Sequence, residues 1–475
     1  MISCNQGWLS SPYFCNLPPL NQRKCIGGAG TTLHKSIDPK AFKGYPGDIY
    51  RAWQSPNFLE RAKAEAIWFD EHLALGLDPH QSFIKGKVSR LCERAVRKGL
   101  PKTGINFGSQ DYLSLSTHPL LAEAAQIAIA DYGVHSAGSA ALAGISDASL
   151  ALEAELAAFT GYADATVFPI GWAAGYGVIT SLIRPDDHVI LDLLAHNCLQ
   201  EGARAATLNV HRARHLSVRS VEQKLQKIRN ADLNAGILVV TETLFSMDSD
   251  TPDIGALQDI CHSYGATLFV DIAHDLGALG PSGRGVLEIQ GMVGKVDIIM
   301  GAFSKCFASI GGFVASNEPA LKIRLRTGSG PSAFTNAMTP IQVGIIRKSL
   351  EIIQSAEGDT RRARLRKNIQ LMRKRLTEEG FEVLGQPSPI IPVILGGSQI
   401  SRLMTKFSNE NGGFVNLVEY PAVPRTAGRW RIQMMADHTS DDIEAFISIA
   451  VNARVQAKMT AADNDDRAKH EQSCP

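Results

Sequence analysis

No Cys-x-x-Cys pair occurs in this chain, and its eight cysteines are scattered through 475 residues. That spacing argues against both a disulfide framework and a zinc site. An excess of either charge is also missing, because 48 basic side chains meet 47 acidic ones and leave a net charge of +1. A nucleic-acid surface needs a clustered positive excess, so no nucleic-acid partner is expected. The sequence has no apolar run of about twenty residues, the length that crosses a bilayer, so no transmembrane segment is expected. The opening "MISCNQGWLSS" lacks the basic stretch and long apolar core of a secretory signal. A reducing cytoplasm is the expected compartment. What remains is an ordinary globular composition, 44% hydrophobic, in a chain long enough for two domains or one large domain with a satellite.

The first 45 or so residues mix Pro, Gly, Ser and Asn without periodicity and read as an irregular arm. In "SPNFLERAKAEAIWFDEHLALG", Leu59, Ala62, Ala66, Phe69 and Leu73 recur at helical spacing. These two parts make an N-terminal arm and helical segment, 1–105. From Asn106 the runs "DATVFPI", "DHVILDL", "AGILVVTET", "ATLFVDIA" and "VDIIMGA" read as buried strands. "SLALEAELAAFTG" and "DIGALQDICHSYG" read as helices, each closed by a glycine. Such alternation predicts an α/β fold, a mostly parallel sheet with helices on both faces, over 106–340. A smaller C-terminal α+β domain is expected over 341–458. There Leu365, Ile369, Met372 and Leu376 share one helix face, "SPIIPVILGG" is a strand, and Thr439 or Ser440 caps the last helix. The tail, 459–475, is expected to be disordered.

One lysine looks out of place. In "DIIMGAFSKCFASIGGF" the apolar run stops at Gly301 and Lys305 follows among Phe303, Phe307 and Gly311-Gly312. Other polar residues also stand at or just past strand ends: Asp271 and His274 in "VDIAHDLG", Ser246 in "TETLFSMD" and His196 in "LLAHNCL". Singly, each has an ordinary explanation as a cap, a satisfied histidine or a solvated amine. Together they stand where open parallel sheets bind ligands. One cofactor asks for that set. Pyridoxal 5'-phosphate needs an amine to hold its aldehyde as a Schiff base and a carboxylate to keep its pyridine nitrogen protonated. It also needs a flat group against the ring. Lys305, Asp271 and His196 fit these needs, and Gly171 with Trp172 opens a helix whose backbone N–H groups suit the phosphate.

At these motifs the chain resembles the α-oxoamine synthases, a branch of the fold-type I pyridoxal-phosphate enzymes. "NFGSQDYLSLSTHP", "VTETLFSMDSD", "VDIAHDLGALGPSGRG" and "GAFSKCFASIGGF" match family segments in order, and the likeness runs from about Asn106 to about Val451. The resemblance implies that Lys305 holds the cofactor and shuttles the Cα proton, while Asp271 pairs with the pyridine nitrogen. It implies that His274 bonds the ring hydroxyl oxygen, that His196 stacks on the ring, and that Ser246 lies near the ring hydroxyl. Ser304 is expected as a further cofactor contact, and Arg431 in "RIQMMADHT" would hold the amino-acid carboxylate. Thr335 and Asn336 in "SAFTNAMTP" match the segment that reaches across a homodimer interface to the partner's phosphate.

The departures from the family pattern touch other positions. His135 and Ala137 stand where glycines are common, Ala140 where an arginine is usual, and Ser149 where a histidine is frequent. Ile272 replaces an acid after Asp271, Gln110 replaces an asparagine before Asp111-Tyr112, and Ala302 replaces a threonine or serine that reaches the phosphate. None removes the lysine, the carboxylate or the arginine. The implied activity is a decarboxylative condensation of a small amino acid with an acyl thioester, carried by coenzyme A or a carrier protein. The alternatives are an aminotransferase or aldolase on the same cofactor, or a non-catalytic partner subunit.

Overall fold

The chain is described by a computed structural model that covers Phe42 and residues 44–52, 54–77, 82–96 and 99–473. Residues 1–41, most of the expected arm, lie outside the described residues. Strands β1 (Ser82–Lys85), β2 (Leu91–Val96) and β3 (Lys102–Asn106) come first. Then follow β4 (Asp164–Phe168), β5 (His188–Asp192), β6 (Val210–Ala213), β7 (Ile237–Glu242), β8 (Thr267–Asp271), β9 (Ile298–Ala302) and β10 (Gly312–Ser316). The C-terminal part holds β11 (Glu382–Val383), β12 (Ile390–Gly396), β13 (Gly413–Phe414), β14 (Asn416–Val418) and β15 (Gly428–Gln433).

The central sheet has the order β4-β10-β9-β8-β7-β5-β6. Strands β6, β5, β7, β8 and β9 pair in parallel, and β10 runs antiparallel to both its neighbours. Every residue of β7, β9 and β10 is buried, as expected for a sheet covered on both faces. Alternation along a strand divides the core in two. Val189 and Leu191 enter one apolar cluster while Ile190 enters the other. The strand order reverses between β5 and β7. In an open α/β sheet, that reversal opens a crevice at the carboxyl ends of the strands.

The helix Asp147–Thr160 ends at Gly161 in the left-handed region, as its sequence predicts. In the helix Ala356–Glu378, Leu365, Ile369, Met372 and Leu376 are all buried. Thr439 caps the last helix, since its Oγ1 accepts from Asp442 N at 3.1 Å while Asp442 Oδ2 accepts from Thr439 N at 2.8 Å. That reciprocal pairing is a capping box.

Three expectations differ. The stripe Leu59, Ala62, Ala66 is exposed on the helix Phe58–Ala74, and Trp68 and His72 are the buried pair instead. Ring area decides the face: His72 stacks on Trp68 at 3.6 Å, and the Arg402 guanidinium lies 5.3 Å over the same indole. The stretch before Asn106 also contains strands, and β3 pairs in parallel with β13 far along the chain. The tail is helical to Ser473. Buried Ala457 and Ala461 carry the helix past residue 459, and Ala462, Arg467, Ala468, Lys469, Glu471 and Gln472 beyond them are good helix formers.

Ala137 has φ +56°, a left-handed conformation unfavourable for a residue with a Cβ. Glycine there removes about 1–2 kcal/mol of strain and returns about 0.4–1 kcal/mol through the unfolded chain. Ala137→Gly should therefore raise stability slightly, read as a higher denaturant midpoint with an unchanged slope.

Candidate active site

The carboxyl ends of β5, β7, β8 and β9 converge on a cavity of about 280 Å³. Gly171, Trp172, His196, Asp271, His274, Ser304 and Lys305 all line it, joined by Cys198, Glu242 and Ala302. A larger groove of about 680 Å³, between the helices Pro119–Tyr132 and Pro340–Ile353, contains none of these residues. Chemistry rather than volume selects the site.

Lys305 is fixed by the phenylalanines around it. Phe303 and Phe307 are fully buried edge to face at 5.2 Å, and Phe303 stacks on Phe313 of β10 at 5.5 Å. Phe303 N donates to Gly311 O at 2.9 Å and Ser309 N to Phe303 O at 3.2 Å, which closes the loop. Burial lowers the Lys305 pKa, Asp271 pulls it back up, and Arg431 lowers it further. Burial raises the Asp271 carboxyl, while His196 and Lys305 draw it down. Asp271 Oδ1 also accepts from Ala273 N at 2.8 Å, which aims the carboxylate.

His274 Nδ1 lies 3.1 Å from the Tyr112 hydroxyl. Burial pushes the His274 pKa well below the usual imidazole range and the Tyr112 phenol up, so the pair is neutral. Tyr112 and Glu242 were missed as site residues. Tyr112 sits in a family segment quoted above, and Glu242 reads as the last residue of a strand. Burial, and then Asp271 beside it, holds the Glu242 carboxyl well above its usual range.

The helix Gly171–Leu182 begins at the cavity wall with no side-chain cap on its first N–H groups. A Cβ at Gly171 would lie 2.5 Å from Ala302 Cβ, and one at Gly312 would lie 2.6 Å from Gly171 Cα. Glycine at both positions lets the helix end meet the sheet, with the Ala302 methyl packed beneath Gly171.

Arg431, on β15, does not line the cavity, but its charge acts on Lys305, His196, His274 and Tyr112. Its Nε and Nη2 are buried without a hydrogen-bond partner. Burial lowers its pKa, opposed by Tyr112 and Glu242. Unpaired buried donors on a guanidinium are costly unless an anion meets them, and a carboxylate matches that fork. The lysine amine, the facing carboxylate, the uncapped helix start and the orphaned arginine together fit pyridoxal phosphate and an amino acid.

Other expected residues lie apart from the cavity wall. Ser246 is in the loop after β7 and does not line it. Thr335 Oγ1 donates to Pro331 O at 2.6 Å, and Asn336 forms a backbone bridge with Ser139. Among the described residues no group of His, Cys, Asp and Glu could hold a metal, and no helix is long and apolar enough to cross a membrane.

Two cavity loops are bolted together by His215. Its Nδ1 lies 2.8 Å from Asp192 Oδ1, at the end of β5, and its Nε2 lies 3.1 Å from Asp250 Oδ2, beyond Ser246. Burial opposes the charge, but bonds to Asp192 and Asp250 carry the pKa up to about 10. An unfolded histidine titrates near 6.5. The stabilisation is therefore complete below about pH 6.5 and is lost as pH rises through about 10. His215→Gln should lower the melting temperature most at about pH 6 and converge on the unsubstituted protein above about pH 10, measured by thermal melts across that range.

The sequence pattern of the aminotransferase class I and II family matches residues 102–449. A serine palmitoyltransferase from Sphingobacterium spiritivorum is 34% identical over 75% of this chain and 88% of its own length. The mitochondrial 2-amino-3-ketobutyrate coenzyme A ligase of Mus musculus is 34% identical over 73% and 83%. Among solved structures, a serine palmitoyltransferase from S. paucimobilis with a bound PLP-myriocin aldimine superposes with a TM-score of 0.78. It shares 27% identity and covers 85% of this chain and 100% of its own. With this cavity at the switch point of this sheet, the chain belongs to the α-oxoamine synthases, enzymes of the aminotransferase class I and II family that work with pyridoxal 5'-phosphate.

Proposed function

We propose that this enzyme condenses a small amino acid with an acyl thioester, releasing CO2 and a free thiol and leaving an α-amino ketone. The observation that carries the reading is the orphaned guanidinium of Arg431 beside the Lys305–Asp271 pair. The curated relatives, α-oxoamine synthases that join amino acids to acyl thioesters, support it. Bound pyridoxal phosphate supplies an electron sink for the carbanion formed at Cα. Arg431 holds the carboxylate by two parallel hydrogen bonds, which sets the Cα–H bond toward Lys305. Lys305 Nζ takes that proton, a task helped by burial, which lowers the pKa of the amine. Asp271 provides the negative charge for the ring nitrogen. The neutral His274–Tyr112 pair would hold the ring hydroxyl, and His196 would lie against the ring face.

A second copy of the chain completes the site in this reading. Thr335 and Asn336 serve the partner's phosphate. Leu142 and Phe334, 86% and 89% exposed, flank the Ser139–Asn336 bridge and supply apolar area for such an interface.

The reaction is tested by mixing enzyme, amino acid and acyl thioester and measuring CO2 and free thiol. Equimolar release supports condensation, whereas keto acid or aldehyde without thiol indicates an aminotransferase or aldolase. Arg431→Lys keeps the charge but loses the fork, so the amino-acid KM should rise about tenfold or more while cofactor binding persists. Equal loss of both would make Arg431 a structural residue.

A further inference from the structure

His196 is held at two points by residues to which the reaction above gives no task. Its backbone N donates to Glu242 Oε1 at 2.5 Å, which ties the loop after β5 to the end of β7. Its ring nitrogen Nδ1 lies 3.0 Å from Cys198 Sγ and accepts from Cys198 N at 3.3 Å. Both neighbours of Nδ1 are hydrogen-bond donors. The backbone N–H can only donate, and the buried thiol is protonated, because burial pushes its pKa far up. A proton on Nδ1 would face both donors. The surroundings therefore place the ring proton on Nε2, the nitrogen left free of these contacts. The thiol is also locked in place: a Cβ at Gly175 would lie 2.7 Å from Cys198 Sγ, so this glycine leaves the sulfur its room.

We propose that Cys198 and Glu242 are positioning residues that hold His196 in its Nε2–H tautomer, with that N–H available as a donor to a ligand in the cavity. Cys198 sets the tautomer and Glu242 sets the height of the loop. Resting on the amino-acid site proposed above, the inference makes His196 a neutral donor to the ligand that complements the charged Arg431, as well as a flat cover for the ring. A histidine held the other way would present a lone pair to the same region and repel a carboxylate.

The test uses full-length protein labelled with ¹⁵N at histidine, with and without pyridoxal phosphate. His196→Gln identifies the ring signals. In the unsubstituted protein Nδ1 should resonate as an unprotonated acceptor and Nε2 as protonated. Cys198→Ala, which removes the thiol but keeps the backbone N–H on Nδ1, should move both shifts part of the way toward a mixture of tautomers and raise the amino-acid KM up to about tenfold with a smaller change in kcat. Cys198→Ser, which keeps a donor, should restore both. Glu242→Leu should leave the tautomer unchanged yet raise KM similarly, whereas Glu242→Gln, which retains an acceptor oxygen, should lie near the unsubstituted enzyme. A protonated Nδ1 in the unsubstituted protein overturns the proposal, and so do unchanged ring shifts in Cys198→Ala. If Cys198→Ala fails to fold, a tautomer in Cys198→Ser differing from that of the unsubstituted protein overturns it equally. The ring shifts decide the tautomer even if no amino acid perturbs the cofactor spectrum, an outcome that would count against the substrate reading alone.

Discussion

Lys305→Ala is expected to abolish turnover, by at least about a thousandfold, while the protein still binds pyridoxal phosphate noncovalently. The substitution removes the only ammonium group lining the cavity wall described here. It leaves Asp271, His274 and the uncapped start of the helix Gly171–Leu182 in place. Phe303 and Phe307 anchor the loop on either side without help from the lysine. Cofactor retained after gel filtration, together with the loss of CO2 and thiol release, is the pair of measurements required. Condensation at near the unsubstituted rate would refute the assignment of Lys305.

Asp271→Asn should slow Cα-proton exchange of the bound amino acid by at least about a hundredfold, the cost typical of losing one preorganised electrostatic contact. Asparagine preserves the shape, and its Oδ1 can still accept from Ala273 N. It loses the charge that, in the proposed reading, keeps the pyridine nitrogen protonated. Because burial disfavours the Asp271 carboxylate in the protein alone, the variant without cofactor should melt no lower than its parent. A fall in melting temperature matching the fall in exchange would assign Asp271 to the scaffold. Exchange of the Cα proton into deuterated solvent, followed by NMR, separates the two results.

The strands carrying these residues were legible because β5, β7, β8 and β9 are short apolar runs, the first three ending in an acidic residue and β9 at Gly301-Ala302, shortly before Lys305. Lys305 and Asp271 could be picked out because chemistry stands just where apolar runs stop. Glu242 could not. It terminates β7 as an apparent strand residue, and only the pairing of β7 with β8 puts it opposite Asp271. Tyr112 was similarly hidden, since its contact with His274 spans 162 positions in sequence. The helix Phe58–Ala74 misled for another reason. Small alanines at helical spacing look like a core stripe, but an alanine buries little area, and one tryptophan outweighs several of them. Neither the pairing of β3 with β13 nor the exposed setting of Thr335 and Asn336 leaves a local trace in the chain.

Strand β15 has a mechanical consequence. It carries Arg431, and two residues earlier Arg429 grips the loop after β7 through Asp248 and the Met247 carbonyl. Ser249 on that loop also hydrogen-bonds Ser388 at 2.7 Å. The strand that carries the proposed carboxylate clamp is thus geared to the loop that follows β7. Were the C-terminal sheet to tilt, the loop bearing Ser246 would be dragged with it, so a clamp on Arg431 would not open as an independent jaw. In the proposed reading, an oversized amino acid is not admitted by relaxing one side alone. It must strain the whole mount or be refused, and selection by size then rests on stiffness shared between the two parts of the chain.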